Sequence, residues 1–291
     1  MIHICSVTND IFSRYCQSFV YEIIAHKNPD TELFIHILID KLSNKNDFDI
    51  FKDIPKVSFE LIDVTDKKTV DKNIKYNTRR NCLEPFDRYL IPELQELQNV
   101  DRVLYLDADI VVKKDLTELY NSELNGNMLG AIQNTWHMSR SFFHHDFVNA
   151  GVILIDMDLA RKQRFTRKCI SNTTSADLND ELVINYVFKY QTQHLPIKYN
   201  LLYARVLNGY PYFRDIDLYN KYYKTNYSSI QELIKDAVVI HMAGNKFGKD
   251  FDYPAFHRFY KYYFDRLDNF KKTKEIINDR ENELNMLLDL P

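Results

Sequence analysis

"RVLYLDADIVV", residues 102–112, decides the fold of this chain. Apolar residues run from Val103 up to Asp107 and Asp109 and resume at Ile110, with no turn residue between. Two carboxylates that interrupt a buried strand cost free energy unless something compensates them. In an open α/β sheet, ligands gather at the carboxyl ends of the strands. Two acidic side chains two residues apart there converge on one hard divalent cation, which in turn neutralises phosphates. The stretch therefore predicts a core strand that ends in a metal and phosphate site.

The same Asp-x-Asp spacing recurs at Asp47/Asp49, Asp156/Asp158, Asp215/Asp217 and Asp250/Asp252. None of those pairs both follows and precedes an apolar run, so each reads as a solvated turn pair. A second chemistry fits the letters "DADIVV": a nucleophilic Asp with an acid/base Asp two residues on, as in haloacid dehalogenase phosphatases. That motif ends the first strand of its fold, whereas here three strands come first.

Working outward, "IHICSV" (2–7), "LFIHILI" (33–39) and "VSFELIDV" (57–64) read as further strands. "FSRYCQSFVYEIIAH" (12–26) carries Phe12, Tyr15, Cys16, Phe19, Val20 and Ile23 at helical spacing. "PFDRYLIPELQEL" (85–97) reads as a helix that Pro92 kinks or splits. Strands alternating with helices imply a mostly parallel sheet covered on both faces. Beyond residue 110, "MLGAIQ" (128–133), "AGVILID" (150–156) and "AVVIH" (237–241) read as strands and "DELVINYVFKY" (180–190) as a helix. The expectation is one α/β domain over 1–265 and a charged, helix-prone tail over 266–291 that packs on it, mediates association or frays.

Composition narrows the function. With 291 residues, 45% apolar and a net charge of -3, the chain has room for a large core and lacks the basic excess of a nucleic-acid binder. The four cysteines, Cys5, Cys16, Cys82 and Cys169, form no Cys-x-x-Cys pair. No basic-plus-apolar leader precedes the first strand and no apolar run approaches a membrane span, so a reducing, cytoplasmic setting is expected. Residues 257–274 interleave aromatic and basic side chains. They fit either peripheral contact with the inner face of a membrane or a helix packed on the domain. The 20 tyrosines and 19 phenylalanines either line a polar cleft or serve as half-buried structural residues.

Several ordered segments resemble glycosyltransferase family 8, the retaining enzymes that include lipopolysaccharide galactosyl- and glucosyltransferases and glycogenin. They are "SVTND" (6–10), "FDRYLIPEL" (86–94), "VLYLDADIVV" (103–112), "FVNAGVILIDM" (147–157), "LNDELVIN" (178–185) and "VVIHMAG" (238–244). The resemblance runs from residue 1 to about 255. It implies a nucleotide-sugar-binding (GT-A type) fold, a UDP-hexose donor and a glycan or lipid-linked glycan acceptor. The metal would be Mn²⁺ or Mg²⁺, held by Asp107, Asp109 and His241, and the mixed oxygen and imidazole set favours Mn²⁺. Ser6, Val7, Thr8, Asn9, Arg88, Ala108, Gly244 and Lys246 would join Asp107 around the nucleotide. Asn149, Ala150, Gly151 and Asp180 would contact the sugar. Arg88 reads as a neutraliser of donor charge, a partner for a neighbouring carboxylate, or a solvated helix residue.

Two departures stand out. The family usually has Gln where this chain has Glu181. A carboxylate is a competent nucleophile and an amide is not. Asp180 and Glu181 are therefore the expected catalytic pair, with Glu181 acting either in double displacement or as a support for positive charge. The family's Lys six residues after the His is here Phe247, flanked by Lys246 and Lys249. A catalytically inactive nucleotide-sugar binder is the non-enzymatic alternative. The loops 134–148 and 199–223 are expected to face the acceptor.

Overall fold

The computed structural model describes residues 1–67, 84–134, 147–174, 179–203, 206, 214–243 and 254–278. Gly244, Lys246, Phe247, Lys249, Cys82 and residues 279–291 lie outside them.

Among the described residues, seven strands form one mixed sheet in the order β3-β2-β1-β4-β7-β6-β8. The strands are β1 (Ile2–Thr8), β2 (Leu33–Ile39), β3 (Val57–Asp63), β4 (Arg102–Leu106), β6 (Leu129–Gln133), β7 (Val148–Asp156) and β8 (Thr192–His194). β1 runs parallel to β2 and β4, β2 to β3, and β6 to β8, while β7 is antiparallel to both its neighbours. The expected mostly parallel sheet is thus present, with β7 inserted against the grain. A second, small sheet holds β5 (Ile110–Val112), β10 (Val239–His241) and β9 (Leu201–Leu202) in the order β5-β10-β9.

The near-continuous apolar strands split by parity into two cores. Ile2 and Ile4 of β1, Leu104 and Leu106 of β4, and Val152 and Leu154 of β7 face one core. Cys5 and Val7, Val103 and Tyr105, and Ile153 and Ile155 face the other. Helix α1 (Ser13–His26), the short helix α2 (Thr117–Tyr120) and the C-terminal helix Pro254–Thr273 contribute to the first core. The segment Glu84–Glu93 and helices α3 (Met157–Lys162), α4 (Phe165–Asn172) and α5 (Asp180–Phe188) contribute to the second. The period-two alternation places a covered face on each side of the sheet. Glu84–Glu93 winds as a 3-10 helix, and a second short 3-10 turn, Gln95–Leu97, follows Leu94 in extended geometry. The expected split after Pro92 is therefore present, in a tighter helix type.

The C-terminal helix crosses residue 265, the expected edge of the domain, without a break. Tyr260 and Tyr263 before that point, and Leu267 and Phe270 after it, are buried in the same core. Arg266 grips the buried Glu22 of α1 at 2.8 and 3.2 Å. These contacts dock the aromatic side chains and Arg266 of 257–274 on the domain, while Arg258, Lys261 and Lys272 are exposed. No helix among the described residues is long and apolar enough to cross a membrane. Just past the helix, the buried Tyr21 hydroxyl donates to Ile277 O at 3.3 Å and accepts from Ile277 N at 3.1 Å. Tyr21→Phe should lower stability by about 1 kcal/mol, seen as a drop in Tm of about 2–4 °C. Proteolysis after residue 273 should become faster, and unchanged protection would mean that other contacts hold this segment.

Candidate active site

Asp107 and Asp109 sit where the chain leaves the large sheet and enters the small one. Asp107 extends the β4–β7 pairing, its N–H donating to Gly151 O at 2.9 Å. Asp109 extends the β5–β10 pairing, its carbonyl accepting from Met242 N at 3.1 Å. In that register His241 lies opposite Ile110, the residue after Asp109. The Asp-x-Asp therefore bridges two sheets, and the ladder itself brings His241 to the aspartates. His241 Nε2 stands 3.3 Å from Asp109 Oδ1 and 3.7 Å from Asp107 Oδ2. One donor atom from each of the three residues lies within 4.8 Å of the others. Asp109 and His241 are buried.

The other Asp-x-Asp pairs are structural wherever they are described. Asp156 and Asp215 accept from backbone N–H groups at the starts of helices Met157–Lys162 and Ile216–Tyr223. Asp47 and Asp49 are exposed, as the turn reading expected.

Arg88 is buried and saturated. Its Nη2 donates to Asp107 Oδ1 at 2.9 Å and meets Asp180 Oδ2 at 3.1 Å. Its Nη1 and Nε donate to the carbonyls of Ala150 and Pro85. Burial sets aside the solvated-helix role, and Arg88 pairs with two neighbouring carboxylates while lining the cavity. The Tyr105 hydroxyl donates to Asp107 Oδ1 at 2.7 Å, and the Arg88 guanidinium lies over the Tyr105 ring at 4.4 Å. Tyr105 was missed from the sequence, although its parity puts it on the same face of β4 as Asp107.

Asn179, not Asp180, caps α5, its Oδ1 accepting from Leu182 N at 2.7 Å. Asp180 and Glu181 are thereby released into the cavity. Asn185 ties the helix to β7, bonding Val148 N, Val148 O and Glu181 O. Glu181 Oε1 accepts from Asn134 Nδ2 at 3.0 Å. Its Oε2 accepts from Asn149 Nδ2 at 2.7 Å and Ala150 N at 3.2 Å. Burial pushes the Glu181 carboxyl up to about 7, with the Ala150 N–H pulling it back. Burial also raises Asp180, and Arg88 opposes that shift.

These side chains line a cavity of about 290 Å³ that holds Asp107, Asp109, Asp180, Glu181, Arg88 and His241. Four carboxylates face one guanidinium, an excess of negative charge that a divalent cation at Asp107, Asp109 and His241 would correct. The donor set fits Mn²⁺.

Of the other expected site residues, Asn149, Ala150 and Gly151 also line this cavity. Ser6, Val7 and Thr8 end β1, followed by Asn9, and all four are buried beside β4 rather than in the cavity lining. Ala108 packs on the first core. Asn149 does not leave its carbonyl oxygen for a sugar, because that atom accepts from Gly151 N at 3.1 Å and Asn200 Nδ2 at 2.8 Å. The space a Gly151 side chain would fill holds the His241 ring and the Asp107 carboxylate. In the loops expected to face the acceptor, Tyr199, Tyr203 and Tyr219 are buried, so these are core residues. The Trp136, Phe142, Tyr210 and Tyr212 positions lie outside the described residues.

Comparison with known proteins agrees with this geometry. The glycosyl transferase family 8 profile matches residues 3–247. Glycosyltransferase GlyA of Streptococcus pneumoniae is 32% identical over 120 residues, 40% of this chain and 16% of that protein. The lipopolysaccharide 1,2-glucosyltransferase of Escherichia coli is 30% identical over 117 residues, 36% of this chain and 35% of that protein. The matched stretch thus spans about a third or less of these curated relatives. Among solved structures, an active-site mutant of LgtC superposes with a TM-score of 0.68 at 20% identity, covering 92% of this chain and 95% of that one. The galactosyltransferase LgtC in complex with donor and acceptor sugar analogs gives 0.66 at 19%, with the same coverage. At these identities the likeness concerns the fold.

Proposed function

Because this chain belongs to glycosyl transferase family 8, we propose that it is a retaining hexosyltransferase. It moves glucose or galactose from a UDP-sugar to a glycan or lipopolysaccharide-type acceptor in the cytoplasm, with Mn²⁺ or Mg²⁺. The observation that carries the reading is the convergence of Asp107, Asp109 and His241 in a cavity with surplus negative charge. A divalent cation there supplies Lewis-acid stabilisation of the leaving diphosphate. Arg88 holds Asp107 and Asp180 in fixed directions, one toward the cation site and one toward the hexose. Lys246 and Gly244 are proposed to close over the diphosphate, and the β1 end from Ser6 to Asn9 to flank the base.

Glu181 supports positive charge at the anomeric carbon rather than attacking it. Both its oxygens already accept hydrogen bonds, and such bonds stabilise a carboxylate at the expense of its nucleophilicity. Glu181→Gln should reduce transfer by about tenfold or less, the worth of one weakened charge-assisted hydrogen bond. Near-complete loss, or a glycosylated peptide containing Glu181 trapped without acceptor, would make it the nucleophile.

The same variant reads the buried carboxyl. Its folded pKa of about 7 lies above the reference 4.5. The folded state therefore holds the proton more tightly, and stability is lost as pH rises through about 7. The Tm of Glu181→Gln should gain on that of the metal-free wild type between about pH 5 and 7.5. A constant difference would mean that Glu181 titrates normally.

The function itself is tested by UDP release from UDP-glucose and UDP-galactose with Mn²⁺, with and without chelator. Chelator-sensitive release of UDP is expected. Tight UDP-sugar binding without turnover would favour an inactive binder. Phosphate release from an aryl phosphate would favour a phosphatase.

A further inference from the structure

A buried line of amides joins Glu181 to His241, and its polarity follows from its ends. The Gly151 N–H is a donor by covalent structure, so the atom it meets on Asn149 at 3.1 Å is the carbonyl Oδ1. The opposite end of that amide, Nδ2, then donates to the Glu181 carboxylate at 2.7 Å. Both neighbours agree, which fixes the Asn149 amide. Asn200 meets the same Asn149 Oδ1 at 2.8 Å and must therefore present its Nδ2 there. Its own Oδ1 is left facing His241 Nδ1 at 3.0 Å. An oxygen in that place accepts only from a protonated nitrogen. His241 Nδ1 thus carries a proton, which leaves Nε2, the nitrogen that faces Asp107 and Asp109, as the ring position a cation can take.

We propose that Asn200 is a positioning residue that fixes the Nδ1–H tautomer of His241 and so dedicates Nε2 to the cation. Through Asn149 it also couples that choice to Glu181. The relation to a cation rests on the proposed metal-dependent reading, whereas the tautomer does not. Ligating histidines are commonly oriented by an acceptor on their other ring nitrogen. Here the acceptor is a neutral amide that is itself held by a second amide. Asn200 is 1% exposed, and this pair of bonds uses both ends of its side chain.

The test reads the proton directly. Long-range proton–nitrogen spectra of the full-length ¹⁵N-labelled chain report which ring nitrogen is protonated, and a His241→Gln variant identifies the signal. Wild type should carry the proton on Nδ1 without any metal. Asn200→Ala should lose that preference and bind Mn²⁺ about 10- to 100-fold more weakly. Asn200→Asp keeps an acceptor toward Nδ1 while its other oxygen loses the bond to Asn149 Oδ1, so it should keep the tautomer and recover part of the affinity lost in the alanine variant. A purely structural role for Asn200 would weaken both variants alike and leave the tautomer unmoved. A wild-type His241 without a proton on Nδ1, or an Asn200→Ala protein with wild-type tautomer and Mn²⁺ affinity, overturns the proposal. Wild-type protein with Nδ1–H that binds no Mn²⁺ would support the role of Asn200 and refute the metal reading. Should the alanine variant fail to fold, the wild-type spectrum and the aspartate variant still decide.

Discussion

Asp109→Ala is expected to fold normally, yet to bind Mn²⁺ at least about a hundredfold more weakly and to lose transfer by a similar or larger factor. Asp109 is 4% exposed and supplies one of three donors at the cation site. Its removal takes one negative charge from a cavity that holds four carboxylates and one guanidinium, so repulsion falls in the metal-free protein. Stability should therefore hold while function goes. Asp107 behaves differently. It receives bonds from Arg88 and Tyr105, so Asp107→Ala leaves a buried guanidinium with Asp180 as its remaining carboxylate. Loss of one partner of a buried pair costs on the order of 3–5 kcal/mol, and that variant would confuse misfolding with lost chemistry. Asp107→Asn keeps an acceptor oxygen for Arg88 and Tyr105 and removes the charge, which makes it the better probe. Thermal melts, Mn²⁺ titration and UDP release together separate these effects. Activity near wild type in Asp109→Ala, or full wild-type activity in excess chelator, would sink the metal assignment.

Features carried by runs of residues were legible in the sequence. Hydrophobic runs give β1, β2, β4, β6 and β7, because a strand buried on both faces has no polar positions to blur it, whereas the edge strand β3 mixes apolar with polar positions. The Asp-Asp-His cluster was also legible. Asp107 and Asp109 break an apolar run, and His241 ends another. What the sequence could not carry is register. That Asp107 belongs to one sheet and Asp109 to the other depends on Gly151 and Met242, residues distant in the chain. The same gap hid Asn134 and Asn200, each an ordinary polar residue beside a strand with no local pattern to mark it. It also hid what surrounds Asn149 and Gly151: Asn149 bonds Glu181 and Asn200, and Gly151 packs against the His241 ring. The helix runs through the edge expected at residue 265 for a related reason. Charge and helix propensity describe the exposed side of Pro254–Thr273, whereas Tyr263, Arg266 and Leu267 dock its other side on the domain.

Gly151→Ala is the smallest change with a comparably large expected effect. A Cβ on Gly151 would overlap His241 Cε1 and stand 2.8 Å from its Nδ1 and 2.9 Å from Asp107 Oδ2. The backbone at Gly151 is not in the left-handed region, so alanine meets no conformational penalty and the conflict is steric alone. Neither neighbour yields easily. The ring is tied to Asn200, and its backbone pairs with Ile110 in the small sheet. The carboxylate is tied to Arg88 and Tyr105. Overpacking of this kind costs about 1–3 kcal/mol. Displacement of a ligand by about an ångström is worth on the order of a hundredfold in rate. The variant should therefore be somewhat destabilised, with Mn²⁺ affinity and transfer both reduced by about that factor. Combining it with His241→Ala separates the two causes. Removal of the ring makes room for the methyl group, so the double variant should lose less stability than the sum of the single changes. It should recover no Mn²⁺ binding, because the third ligand is gone. Wild-type Mn²⁺ affinity in Gly151→Ala would show that His241 packs elsewhere. Strict additivity of the two stability losses would show that the methyl group and the ring never compete for the same space.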